Sequence, residues 1–218
     1  MPNRHPRALV AAIVASALLC YGADWGLPPL FSYVFKPLTT LLIIAAAQRA
    51  GVPLWVRVGL GLSLVGDVAL LFPGGFVAGL VGFLLAHLAY LRAFTQARRF
   101  AAWWPAFAAY GVAAVGMLAL LWPGVPAALH VPVIAYVVCL ASMAAQAGVV
   151  GWLGRGTPLA ADDARLALGG LLFLGSDSCI AFNKFAGPLP AAAALVMPTY
   201  WAAQWCIANW RARRIPSN

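Results

Sequence analysis

Two aspartates, Asp67 and Asp177, stand 110 residues apart in apolar stretches of a 218-residue chain that holds only five acidic residues. Lys36, Lys184 and His87 share this setting, whereas Asp24, Asp162, Asp163, His5 and His130 fall in the connections. A charged group inside a bilayer is costly unless it is paired or hydrated, so an acid there is a functional candidate by default. Two carboxyls in a site of low dielectric suit general acid–base chemistry, one keeping its proton while the other is ionised. They also suit proton coupling in a transporter. Blander readings stand beside these. Lys36 and Lys184 are placed to snorkel to an interface, and the aspartates to serve as their structural partners. Asp162 and Asp163 read as helix N-caps. The four cysteines, Cys20, Cys139, Cys179 and Cys206, lack paired spacing, and with a single intramembrane histidine they give a metal site no support.

The elements that must position these residues are apolar helices. The chain is 64% hydrophobic and 9% charged, whereas soluble domains carry about 25% charged residues. Apolar runs at 8–23, 30–48, 54–72, 75–94, 103–122, 130–152, 164–184 and 190–210 predict an all-α, polytopic bundle of about eight transmembrane helices in one domain spanning 1–218. Gly/Pro-containing turns such as Gly51-Val52-Pro53 and Pro73-Gly74-Gly75 separate them. Arg4 and Arg7 ahead of the first run resemble a signal peptide, but Leu19 before Cys20 argues against lipoprotein cleavage, and a retained first helix is expected.

With the N-terminus inside, all twelve arginines fall on the inner side: Arg4, Arg7, Arg49, Arg57, Arg92, Arg98, Arg99, Arg155, Arg165, Arg211, Arg213 and Arg214. That asymmetry predicts that both termini are cytoplasmic, and it accounts for the net charge of +9 without nucleic acid. Depth follows from the helical rise. Lys36, Asp67, Asp177, Asn183 and Lys184 are expected in the outer half of the membrane, and His87, Tyr90 and Tyr200 deeper. Tyr90 and Tyr200 repeat the 110-residue spacing, as two parallel four-helix halves would, although little else matches between the halves.

At these residues the chain resembles the YhhN-like, or lysoplasmalogenase, family of eight-helix membrane proteins. The stretches that carry the resemblance are Lys36-Pro37-Leu38, Ser63-Leu64-Val65-Gly66-Asp67-Val68-Ala69-Leu70-Leu71 and Phe83-Leu84-Leu85-Ala86-His87-Leu88-Ala89-Tyr90. Gly175-Ser176-Asp177-Ser178, Asn183-Lys184-Phe185 and Tyr200-Trp201-Ala202-Ala203-Gln204 follow in order. The resemblance implies hydrolysis of the vinyl-ether bond of a lysophospholipid, giving a fatty aldehyde and glycerophospho-ethanolamine or -choline, with Asp67 and Asp177 as catalytic candidates. It also implies residence in a bacterial inner (plasma) membrane.

Vinyl ethers resist base and yield to acid. Protonation of the outer alkenyl carbon gives an oxocarbenium ion, and water then adds to form a hemiacetal that collapses to aldehyde. The aspartate pair supplies acid and base, and its ionised member stabilises the cation. No metal or organic cofactor is needed. Lys36 and Lys184 are expected to hold the substrate phosphate, with Asn183, Tyr200, His87 and Gln204 orienting water or head group. The rival reading, a lipid or small-molecule transporter, draws on Lys36-Pro37 and Met197-Pro198 as helix interruptions.

Overall fold

The computed structural model describes residues 6–22, 26–190 and 192–211. Arg4, His5, Asp24, Arg213 and Arg214 lie outside the described residues. Among the described residues, eight α-helices follow one another: α1 Arg7–Tyr21, α2 Leu30–Ala50, α3 Leu54–Ala69, α4 Phe76–Ala97, α5 Trp104–Leu121, α6 His130–Leu153, α7 Ala160–Phe185 and α8 Ala192–Ala208. Two short 3-10 turns join α5 to α6. Five of the segments, Leu30–Ala50, Phe76–Ala97, Trp104–Gly124, Ala127–Leu153 and Ala160–Phe185, are long and apolar enough to cross a membrane. Large apolar side chains such as Val112, Val115, Leu120 and Val131 cover the perimeter, while Lys36, Thr40, Asp67, His87, Gln146 and Gln204 are buried. This inside-out distribution suits a lipid solvent. The chain is an integral membrane protein.

Helix ends follow local chemistry. Gly51 closes α2 in the left-handed conformation (φ 65°) and donates its N–H to Ala47 O and Gln48 O, a geometry that favours glycine. α7 begins at Ala160, earlier than the apolar run suggests, so Asp162 and Asp163 occupy its first turn and are not N-caps. Carboxylates are favoured there by the helix dipole. Asp162 pairs with Arg165 at 2.8 Å, and Asp163 accepts the Trp210 Nε1–H at 3.0 Å, tying the chain beyond α8 to the start of α7.

Small residues bring the helices close. A Cβ on Gly82 would lie 3.0 Å from Gly66 N, and one on Gly170 would lie 3.2 Å from Ala144 Cα, so α4 meets α3, and α7 meets α6, through backbone. The first crossing stands beside Asp67 and fixes its height against α4. Arg98 Nη2–H donates to Leu153 O at 3.0 Å, joining the ends of α4 and α6, while the Phe76 and Phe185 rings join the opposite end at 5.9 Å between centroids.

Gln146 secures the connection from α4 to α5. Its Nε2–H₂ donates to Arg98 O at 2.9 Å, and its Oε1 accepts the Ala101 N–H at 3.1 Å. Ala101 has φ 52°, an uncommon conformation for a residue with a Cβ. Gln146→Leu leaves these groups without their partner, and we expect a stability loss of about 2 kcal/mol, read as a lower unfolding temperature in detergent.

Candidate active site

α2, α3 and α8 converge on Asp67, which is 1% exposed. Its Oδ2 accepts the Thr40 hydroxyl at 2.7 Å and the Tyr200 hydroxyl at 2.7 Å. Lys36 Nζ lies 3.8 Å from Oδ1. Lys36 and Thr40 reach the same carboxyl because residues four apart share a helix face. A polar relay backs this arrangement. Tyr90 Oη–H donates to Gln204 Oε1 at 2.7 Å, and Gln204 Nε2–H₂ donates to Tyr200 Oη at 3.0 Å. Ser63 Oγ lies 3.3 Å from Tyr90 Oη. Each donor points toward the aspartate, so successive bonds polarise one another.

Asp177 is held differently. Its Oδ2 accepts a short hydrogen bond from the Tyr136 hydroxyl on α6, and His87 Nε2 from α4 lies 3.9 Å from the same oxygen. His87 is completely buried, and neither ring nitrogen has a hydrogen-bond partner among the described residues. Its ring instead meets Phe173 at 4.7 Å and Tyr136 at 5.4 Å, edge to face.

The two carboxyls share no hydrogen bond. Phe83, Phe173 and Tyr200 pack together beside them, with Phe83–Tyr200 at 5.8 Å and Phe173–Tyr200 at 5.5 Å. Two cavities open at Asp177. One, of about 70 Å³, is lined by Phe76, Leu80, Phe83, Tyr136, Ile180 and Phe185 among others. The second, of about 140 Å³, lies against α5 and shares Val133, Tyr136, Val137, Ala181 and Phe185 with the first. Asp177 is the acidic side chain in both walls. An acid in the wall of an apolar groove is suited to meeting a reacting group on a hydrocarbon chain.

The structure thus brings Lys36, Asp67, Tyr200 and Gln204 into one polar set, and places His87 beside Asp177. Asn183 and Lys184 stand apart, exposed at the end of α7. Asn183 Oδ1 accepts the Leu189 N–H at 2.8 Å. Lys184 Nζ sits 5.1 Å over the ring of Phe76, which lines the smaller cavity. Sequence reasoning missed Thr40 and Tyr136. Thr40 was detectable as the i+4 neighbour of Lys36. Tyr136, embedded in an apolar run, carried no signal that separates it from a packing aromatic. Among the described residues, no group of three His, Cys, Asp or Glu side chains is arranged to hold a metal.

Known proteins are similar to this chain over much of its length. Lysoplasmalogenase TMEM86B of Homo sapiens is 35% identical over 150 residues, covering 66% of this chain and 58% of that protein. The Sus scrofa protein of the same name is 34% identical over 179 residues, covering 77% and 69%. A lysoplasmalogenase of Mycobacterium bovis is 32% identical over 186 residues, covering 77% and 64%. The chain therefore spans between 58% and 69% of the length of these relatives. No solved structure matches it. The sequence pattern of the YhhN family matches residues 31–210, a stretch that contains every candidate residue from Lys36 to Gln204, and the chain belongs to the YhhN family.

Proposed function

We propose that this chain is a single-domain intramembrane hydrolase of the lysoplasmalogenase type, cleaving the vinyl ether of a lysoplasmenyl-ethanolamine or -choline. The observation that carries the reading is the pair of buried aspartates in unlike surroundings. Asp67 has a lysine and two hydroxyl donors, which suits a carboxylate. Asp177 opens onto apolar cavities, which suits a carboxylic acid. Relatives named lysoplasmalogenase, at 32% to 37% identity, support the reaction class.

In this mechanism the Asp177 carboxyl delivers its proton to the outer alkenyl carbon, and the ether oxygen takes up the positive charge as an oxocarbenium ion. The rings of Phe83 and Tyr136, both in the cavity wall, present π-electrons to that cation, and ionised Asp67 stabilises it from behind. Water then adds at the carbon attached to oxygen and gives its proton to the Asp177 carboxylate, restoring the acid. The resulting hemiacetal loses its hydroxyl proton as the bond to the glycerol oxygen breaks and that oxygen takes a proton. Aldehyde and glycerophospho-alcohol leave. Lys36 holds Asp67 ionised, Lys184 meets the phosphate at the rim, and His87, with two unused nitrogens, orients the water. Tyr200 and Gln204 fix Asp67, and Asn183 shapes the rim beside Lys184.

All eight helices cross the membrane in this reading, with both ends in the cytoplasm and the site toward the outer leaflet of a bacterial inner membrane. Neighbour relations suit two four-helix halves, because α4 packs on α6 and α2 on α8, the pairs that a two-fold axis exchanges. Hydrolysis is favoured over transport because α2 continues through Pro37 and α8 through Pro198, without the unwound segments that typify coupled transporters.

The test is to incubate purified protein with lysoplasmenyl-ethanolamine, its acyl analogue and its saturated alkyl-ether analogue. Aldehyde is expected from the first alone. Fatty acid from the acyl compound with no aldehyde from the vinyl ether would overturn the assignment.

A further inference from the structure

α5 presents one continuous stripe to α6, made of Phe107, Gly111, Ala114, Leu118 and Leu121, at spacings of four, three, four and three residues. That spacing keeps all five on one helix face. Small residues in the middle of a membrane seam ordinarily let two helices close on each other. Here they do not. A Cβ added at Gly111 would meet nothing within 4 Å, and only Ala106, Ala114 and Leu121 of α5 are buried. The result is a trough, with a third cavity of about 250 Å³ along α5 and α6. It shares Ala114, Leu118 and Val137 with the 140 Å³ cavity that Asp177 lines.

We infer that this trough is the seat of the substrate's hydrocarbon chain, and that Gly111 limits the length of chain the enzyme accepts. The inference rests on the hydrolase reading above. From Phe107 to Leu118 the trough runs about 16 Å at the helical rise, comparable with the ~15 Å that each leaflet contributes to the hydrocarbon core. It can therefore take a full-length lipid tail with the ether at Asp177 and Tyr136 and the methyl end toward the start of α5. The head group then points to the end where Lys184 stands, so that one extended molecule occupies phosphate rim, acid and trough in order. A single chain fits this seat. The 70 Å³ cavity on the other side of Tyr136 is left for water and the glycerol end.

Because the Gly111 Cβ position faces open space, larger side chains enter the trough without striking backbone. The series Gly111→Ala, Gly111→Leu and Gly111→Phe is expected to move the preferred chain progressively shorter. For Gly111→Phe, the ratio of kcat/KM for a long-chain over a short-chain lysoplasmenyl-ethanolamine should fall by about tenfold, the effect of denying the tail two or so methylenes of burial. Gly116→Phe adds the same bulk on the same helix, also into open space, but outside the trough, and should leave the ratio unchanged. Binding of the saturated alkyl-ether lysophospholipid, which cannot be cleaved by this route, is measured in parallel and should weaken in step for the long chain. An unchanged ratio and unchanged binding in Gly111→Phe would overturn the inference, as would an equal loss in Gly116→Phe. Weakened long-chain binding by Gly111→Phe, in a protein that releases no aldehyde from any substrate, would retain the trough and sink the hydrolase reading instead.

Discussion

Asp177→Asn is expected to lower aldehyde release from lysoplasmenyl-ethanolamine by about a thousandfold, within the usual reach of a general acid, while the protein remains folded in detergent. The amide keeps the size of the carboxyl and can still accept the Tyr136 hydroxyl, so the packing of α6 on α7 is undisturbed. What disappears is the transferable proton in the wall of the apolar cavities. Tyr136→Phe is the informative companion. It leaves the acid in place and frees its orientation, and the expected loss is about tenfold. Activity in Asp177→Asn equal to that of the parent would place the acid elsewhere.

Lys36→Met produces the second large effect, on stability as well as activity. Lys36 is the cation 3.8 Å from a carboxyl that is 1% exposed. Removing it leaves Asp67 with hydroxyl donors only, an uncompensated buried charge. Breaking a buried pair on one side costs about 3 kcal/mol or more. Thermal unfolding should show that loss in Lys36→Met, and much of it should return in Lys36→Met with Asp67→Asn, where no charge is left to compensate. Aldehyde release should not return in the double variant, because the ionised partner is gone. Equal unfolding temperatures in parent, single and double variants would show that the pair contributes nothing.

Much of the architecture was legible in the sequence because the bilayer imposes it. An apolar run of sufficient length has few ways to satisfy its backbone other than as a helix, and each of the eight runs holds a helix among the described residues. The α7 boundary was misplaced because Asp162 and Asp163 looked like capping residues, whereas the first turn accepts carboxylates that find Arg165 and Trp210. The site was legible as a set of residue types, since Asp67, Asp177, Lys36 and His87 are costly in an apolar environment and stand out against it. Its pairing was not. The Lys36-to-Thr40 spacing hinted at a shared face, but nothing local to Tyr200 announces a bond to a residue 133 positions earlier.

The two aspartates on which the sequence reading turned were determined by the sequence as buried acids, for the simple reason that charge in hydrocarbon is rare unless something answers it. What answers each was decided only by tertiary structure. The Gly66–Gly82 crossing brings α3 against α4, and α8 delivers Tyr200 to Asp67. α6 delivers Tyr136 to Asp177, and the cavity between α5, α6 and α7 has Asp177 in its wall. Helix-to-helix packing sets these distances, and packing depends on small-residue contacts between segments far apart in the chain. Composition and periodicity along a single segment do not encode them.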